Sequence, residues 1–355
     1  MESPASLTSL NPTRFESPPV LKKLASASRA LAELKGAAET IPRQDILIRT
    51  LGMREAKDSS AIENIITTLD EVCQGDANLE NAPSLAAKAV LRYRQALWAG
   101  YDKVRGRGLL TNNDILEIQA VIEENRAGFR QVPGTVLKDG TGRTVYTPPQ
   151  DGIEIARLMA ELERFINDGA LFDTDPLVKM ALIHHQFESI HPFYDGNGRT
   201  GRIVNILYLV KEGLLDIPVL YLSRHIVRTK SEYYRRLQEV RTHGTWEEWV
   251  IYLLEAVEET SVQSVRTIRR IRNALMDYKH RIRSGHKFYS QDLINNLFTH
   301  PYTRIEYVER DLGVSRLTAT RYLEALTESG FLRKQRIGRS NFFINPELIS
   351  ILTED

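Results

Sequence analysis

One stretch of twelve residues gathers the groups that could do chemistry: His191-Pro192-Phe193-Tyr194-Asp195-Gly196-Asn197-Gly198-Arg199-Thr200-Gly201-Arg202. His191, with an ordinary imidazole pKa of about 6.5, can accept a proton near neutrality. A loop of Gly and Asn entering a helix lets an anion approach unpaired backbone N–H groups at the positive end of the helix dipole. Gly196, Asn197, Gly198, Arg199, Thr200, Gly201 and Arg202 therefore read as an anion cradle. Arg199 and Arg202 lie three apart on one helix face, which suits successive phosphates of a polyphosphate. Asp195 would repel those phosphates unless a divalent cation intervened. Mg²⁺ is the natural choice, because it is held by one or two carboxylates plus phosphate oxygens. A base, a metal carboxylate and a phosphate cradle together imply attack of a hydroxyl on a nucleotide phosphate.

Three rival chemistries fit less well. Gly196-x-Gly198-x-x-Gly201 has the spacing of a dinucleotide fingerprint, with Asp216 placed 20 residues after Gly196. That site needs a strand before the first glycine, whereas 176–190 has helical spacing and no βαβ unit surrounds it. A P-loop fails because no Lys-Ser or Lys-Thr follows the glycines. His184, Glu188 and His191 could share a helix face as metal ligands, but no further helical ligand or motif accompanies them. His184 and His185 read as half-buried helix residues, and Ile190 and Phe193 as core anchors.

The elements that must position this loop are mostly helical. Apolar periodicity predicts helices over 21–38, 44–59, 61–74, 82–104, 112–124, 152–167, 176–190, 199–212 and 230–242, and a long pair from Thr245 to about Arg283. The cradle thus joins two helices. Residues 128–146 are rich in Val, Thr, Arg and Gly around Asp139-Gly140, the turn chemistry of a β-hairpin with an edge free to pair. After about residue 285 the pattern is that of a winged helix-turn-helix. It comprises a helix over 302–312, Gly313 as the turn, a second helix over 315–329 capped by Ser315, and two strands around Gly338. Eight basic against five acidic residues from Thr303 to Asn345 make only a weak electrostatic footprint for DNA. The basic run Arg266–Lys287 reads as a solvated helix face. The apolar stripe of 82–104 could serve a homodimer or the core.

The 355 residues carry 47 Lys plus Arg against 46 Asp plus Glu, so the chain as a whole is no polycation. Its length suits two or three domains. The single Cys73 excludes a disulfide framework and fits a reducing compartment. No apolar run approaches the roughly 20 residues of a membrane span, and the Ser- and Pro-rich residues 1–20 lack a signal-peptide core. The expectation is a soluble, cytoplasmic protein without membrane association, beginning with a disordered arm.

His191 to Arg202 matches all eight fixed positions of H-x-F-x-(D/E)-G-N-G-R-x-x-R, and the chain resembles Fic-domain protein adenylyltransferases of the bacterial SoFic type. The resemblance implies a mainly α fold. It divides the chain into a disordered arm over 1–20, an N-terminal helical region over 21–105, a Fic core over 106–260, a helical linker over 261–287 and a winged-helix domain over 288–355. It implies that His191 deprotonates a Tyr, Thr or Ser hydroxyl of a target protein, which attacks the α-phosphate of ATP and expels pyrophosphate. Asp195 would hold Mg²⁺ between the α- and β-phosphates. Asn197 and the backbone of Gly196 and Gly198 would form the anion hole, and Arg199 and Arg202 would bind the outer phosphates. The hairpin 128–146 would be the flap that takes the target by strand addition, and Tyr233 and Tyr234 would lie near the adenine. Upstream, Ser59-Ser60-Ala61-Ile62-Glu63-Asn64 fits the family's inhibitory pattern (S/T)-x-x-x-E-(G/N), so Glu63 would pair with Arg202 and block productive ATP binding. Glu63 could also position water to reverse the modification. Relatives that move UMP, phosphocholine or phosphate are a further comparison, against which Asp195 and the intact arginine pair favour an ordinary triphosphate orientation. The function class that competes is a DNA-binding regulator that senses ATP and acts through the winged helix.

Overall fold

A computed structural model describes residues 4–77, 82–337 and 340–354. Two helices form the centre. Helix α7 (Pro176–Ile190) starts at the Asp175 cap with Pro176 in its first turn, and every residue from Leu177 to Ile190 is buried. Its partner α8 (Asn197–Lys211) is buried from Arg199 to Leu209. Helices buried on all sides belong to the middle of a bundle. Around them pack α4 (Leu85–Arg107), α5 (Asn112–Glu123) and α6 (Gly152–Asn167), and α2 (Asp45–Ile62) lies across α4 and α8. Helix α5 opens with a capping box in which Thr111 and Asp114 satisfy each other's backbone N–H groups. The apolar stripe of α4, from Ala87 to Val104, is a core face.

The long segment after Thr245 is one helix of 40 residues, α11 (Trp246–Gly285), rather than the expected pair. Polar residues near its middle are accommodated within the helix. Thr260 and Ser264 donate their hydroxyls to the carbonyls of Ala256 (2.6 Å) and Thr260 (2.7 Å), four residues back. Helix α1 (Pro18–Glu39) runs along α11. The basic run on α11 is exposed as expected, with Arg269 bonded to Glu33 and Arg281 to Asp277. Two helices that the periodicity missed, α9 (Leu222–Arg228) and α12 (Gln291–Thr299), are too short for a clear repeat.

Residues 4–20 are not a disordered arm. Short 3₁₀ turns at Leu7–Ser9 and Pro12–Phe15 deliver Leu7 and Phe15 to the core, and Phe15 packs on Phe172 with ring centroids 6.3 Å apart. Leu10 and Val20 also pack on the core and the Ala5 carbonyl accepts from Gln186 (3.2 Å), so a few contacts hold a segment rich in Ser and Pro.

The hairpin is present and small: β1 (Leu137–Lys138) pairs antiparallel with β2 (Thr144–Tyr146). Asp139 Oδ1 accepts the N–H groups of Thr141 (2.9 Å) and Arg143 (3.1 Å), which closes the turn. In the C-terminal region, α13 (Ile305–Leu312), Gly313, α14 (Arg316–Glu328), β4 (Arg333–Ile337) and β5 (Ser340–Ile344) form the helix-turn-helix and wing. Gly338, the expected turn between the strands, lies outside the described residues. The expected helix from Tyr302 begins three residues later. Tyr302–Thr303 instead forms β3, whose pairing with Ile344 and Phe343 gives sheet order β3-β5-β4. The final helix, α15 (Pro346–Thr353), and α12 pack on α2. Tyr302 donates its hydroxyl to Asp70 on α3 (Leu69–Ala77), and Arg304 reaches the Ala77 carbonyl (3.0 Å).

Candidate active site

The cradle forms where α7 ends and α8 begins. His191 terminates α7 in the left-handed region (φ 49°), its N–H bonded to the Phe187 carbonyl (2.9 Å). Gly196 (φ 78°) precedes α8, whose first backbone bond runs from Thr200 N–H to the Gly196 carbonyl (2.9 Å). The N–H groups of Asn197, Gly198 and Arg199 therefore lie ahead of the helical ladder, where an anion can meet them. Helix α8 starts two residues earlier than expected, so Asn197 is its first residue. The Asn197 amide closes the loop, accepting from Phe193 N–H (2.8 Å) and donating to the Phe193 carbonyl (2.8 Å). It shapes the cradle from beneath. Thr200 is fully buried, as Asn197, Arg199 and Arg202 nearly are.

Both signature arginines meet a carboxylate. Arg202, 1% exposed, places Nη2 2.9 Å from Glu63 Oε1. Its Nε donates to Ser59 Oγ (2.8 Å) and its Nη2 also donates to the Ser59 carbonyl (2.9 Å). Burial opposes the Arg202 charge, but Glu63 with Tyr233, Tyr93 and Glu188 outweighs it and raises the pKa. All three residues of the upstream pattern thus act at one place, although the helix expected to end at 59 runs on to Ile62. Glu63 follows as its C-cap, and Asn64 takes the left-handed conformation (φ 62°) that ends the helix. The N–H groups of Asn64 and Ile65 turn back to the carbonyls of Ala61 and Ser60 (both 3.0 Å). Gly or Asn is required at that position because most side chains disfavour positive φ.

Sequence reasoning did not find the second carboxylate. Glu123, at the end of α5, accepts from Arg199 Nη2 (2.5 Å). A β-carbon on Gly196 would lie 2.5 Å from Glu123 Oε1, and one on Gly198 would collide with Glu63 Oε1. Each of these cradle glycines is therefore covered by a carboxylate that also holds a signature arginine. The Glu123 carboxyl is raised from its ordinary pKa, mainly by desolvation and further by Asp195, against the pull of Arg199.

The His191 pKa is pushed down to about 3 by burial, then by the charges of Arg130 and Arg241, while Asp195 opposes them. The imidazole is neutral at physiological pH and can take a proton without first losing one. Glu188 and Glu55 are buried beside this centre, and burial lifts each carboxyl to about 7. Glu55 accepts from the Tyr93 hydroxyl (2.9 Å) and the Ser223 N–H (3.2 Å). His184 and His185 are core residues, buried and neutral; His184 lies 2.8 Å from the Tyr233 hydroxyl. The adjacent tyrosines on α10 (Lys230–His243) differ in exposure: Tyr233 is 2% exposed and Tyr234 is 46% exposed.

Asp195 is exposed at the cradle's edge, its Oδ1 accepting the Gly196 N–H (2.7 Å). Among the described residues no group of three His, Cys, Asp or Glu side chains is placed to hold a metal. A divalent ion here would share its shell with phosphate oxygens, and one carboxylate beside an anion cradle fits that requirement.

Family models match the chain in three consecutive places. The Fic/DOC family N-terminal model covers residues 21–102, the Fic/DOC family model 109–209, and the C-terminal domain of SoFic-like protein adenylyltransferase 275–348. Among curated proteins, "Protein adenylyltransferase Fic" of Culex quinquefasciatus is 25% identical over 220 residues, covering 58% of this chain and 42% of that protein. The Aedes aegypti protein of the same name is 25% identical over 221 residues, covering 59% and 42%. The chain therefore spans less than half the length of these relatives. Among solved structures, a Fic family protein from Desulfovibrio desulfuricans G20 has a TM-score of 0.59 at 20% identity, covering 97% of this chain and 98% of that one. A fragment of Fic-1 from C. elegans has a TM-score of 0.54 at 21% identity, covering 71% and 74%. At these identities the structural likeness establishes the fold. Matched in order along its three regions, and carrying the family signature on a helix-loop-helix inside a mainly α bundle, the chain belongs to the Fic/DOC family and is of the SoFic-like type.

Proposed function

We propose that the chain is a protein adenylyltransferase that transfers AMP from ATP to Tyr, Thr or Ser hydroxyls of a target protein. The supporting observation is the juxtaposition of a neutral His191 with a polyphosphate cradle holding Arg199 and Arg202. His191 takes the hydroxyl proton, the hydroxyl oxygen forms a bond to the α-phosphorus, and the bond to the β-phosphate bridging oxygen breaks to release pyrophosphate. The negative charge of a bound triphosphate raises the basicity of the imidazole above its value in the empty site. The backbone N–H groups of Asn197, Gly198 and Arg199 stabilise charge on the phosphates, Arg199 and Arg202 orient the outer phosphates, and Tyr234 flanks the base. Asp195 would hold Mg²⁺, which supplies charge neutralisation between the α- and β-phosphates.

The target enters on the flap. Val132, Val136 and Val145 are exposed along it, and each strand of this two-stranded sheet has an unpaired edge that an extended segment can join. Glu63 is the inhibitor: while it holds Arg202, the γ-phosphate lacks its partner. Cys73 is a free, buried thiol, and a cytoplasmic location suits it. Intact-mass measurement after incubation with ATP and Mg²⁺ tests this reading. Glu63→Gly should gain the mass of one or more AMP groups, and Glu63→Gly/His191→Ala should gain none. Salt-sensitive DNA binding with no added mass would replace this reading by that of an ATP-sensing regulator.

A further inference from the structure

Arg130 stands where the flap leaves the core, and its side chain is 0% exposed. Its acceptors are carbonyls rather than carboxylates. Nε donates to the His191 carbonyl (2.8 Å), and Nη2 donates to the carbonyls of Pro149 (2.7 Å) and Ile190 (3.3 Å). The Arg130 N–H donates to the Pro192 carbonyl (2.8 Å). One residue thus ties together both ends of the flap and three successive carbonyls of the His191 turn. Nη1 is buried without an acceptor, so desolvating this guanidinium is only partly compensated by its bonds.

Other contacts reinforce the same junction. The Tyr194 hydroxyl accepts from Gln131 N–H (3.0 Å) and Val132 N–H (3.2 Å). Tyr146 donates to the Ser189 carbonyl (2.9 Å) and lies under the Arg241 guanidinium, 4.0 Å from its ring centroid. Among the described residues Arg130 alone reaches the carbonyl of His191, whose positive φ is uncommon for a residue other than glycine. The cradle is braced separately, by Asn197 on Phe193 and by the two carboxylates on the arginines.

We infer that Arg130 is a positioning residue for AMP transfer, locking the His191 turn and the flap into one rigid unit so that a hydroxyl docked on the flap arrives at the imidazole. The inference rests on the adenylyltransferase reading above. A planar fork is needed to serve divergent carbonyls, and a lysine ammonium does not reproduce it.

The test places Arg130→Lys and Arg130→Ala in the Glu63→Gly background. Self-AMPylation at saturating ATP should fall about 100-fold, the scale of a small misplacement of reacting groups, while the half-saturating ATP concentration stays unchanged. Millimolar guanidinium ion should restore part of the Arg130→Ala rate. Hydrogen exchange should accelerate together in residues 131–146 and 190–195 and nowhere else. A full-rate Arg130→Lys protein, a parallel loss of ATP affinity, or unchanged exchange in either segment overturns the proposal. If Glu63→Gly itself transfers no AMP, the adenylyltransferase reading fails, and the exchange data still decide whether Arg130 couples the two segments.

Discussion

Glu63→Gly removes the carboxylate 2.9 Å from Arg202, and the surroundings of that pair set the size of the effect. The Arg202 side chain is 1% exposed and that of Glu63 is 35% exposed. An exposed pair contributes about 0–1 kcal/mol, and breaking a buried one costs about 3–5 kcal/mol, so this half-open pair belongs near 1–3 kcal/mol. A triphosphate that needs Arg202 must first displace Glu63. Its apparent affinity is then weakened by that free energy, roughly 5- to 150-fold at 1.4 kcal/mol per tenfold. Ser59 still holds Nε and Nη2 after the substitution, so the guanidinium stays aimed. Calorimetric titration of ATP with Mg²⁺ into Glu63→Gly/His191→Ala, against His191→Ala alone, measures the difference without turnover. Glu63→Gln should recover less of it than Glu63→Gly, because the amide keeps an acceptor and fills the same space. An affinity within twofold of the parent, in a variant with unchanged melting temperature, would refute the latch.

Asn64→Val should raise ATP affinity and lower the melting temperature, because a β-branched residue at φ 62° strains the turn that presents Glu63 by about 1–2 kcal/mol; Asn64→Gly should do neither. Glu123→Gln should raise ATP affinity roughly 5- to 150-fold in the same titration, the range of the Glu63 pair, because the Arg199 and Glu123 side chains are only 6% and 14% exposed; a fall would mean that Glu123 aims Arg199 at the nucleotide. Burial raises the Glu55 carboxyl from 4.5 to about 7, so the folded state binds its proton more tightly than the unfolded state does. Its stabilisation is therefore complete below pH 4.5 and lost as pH rises through 7, on the order of 3 kcal/mol. Denaturant titrations of Glu55→Gln against the parent should show a stability difference that shifts in the variant's favour over that interval; a pH-independent difference would contradict the assignment. Hydrogen exchange should be faster at residues 61–65 than at 46–58, and uniform exchange across both would show α2 leaving as a whole.

The two functional segments legible in the sequence are both contiguous. His191–Arg202 and Ser59–Asn64 carry their side chains and their special backbone positions in a single loop or helix end; residue types expose the first, and the second follows from the family resemblance that the first carries. Glu123 and Arg130 work by tertiary contact. Glu123 is 76 residues from the arginine it holds, and Arg130 recognises carbonyls, which every residue possesses. The difference in burial between Tyr233 and Tyr234 was hidden for a related reason. Both sit on one helix turn, and which faces the core depends on His184 and Trp249, far away in the chain. The N-terminal segment misled because composition records the polar majority, while a few apolar residues, Leu7, Leu10, Phe15 and Val20, carry its packing.

The placement of α2 limits how the latch can open. Glu55, Ser59 and Glu63 are spaced four apart and share one helix face, so they approach the Arg202 side of the bundle together. Glu55 is fixed there by Tyr93 and Ser223, and α12 and α15 of the C-terminal region also pack on α2. Rolling the helix to withdraw Glu63 would break the bonds of a buried carboxylate and open the C-terminal packing at once. Unwinding only the last turn breaks the bonds that Glu63, Asn64 and Ile65 make to Ser60 and Ala61, at an end where Glu63 and Asn64 are already exposed. The second route breaks fewer buried bonds, so on the proposed reading of Glu63 as the inhibitor the latch opens as a hinged final turn on a fixed helix.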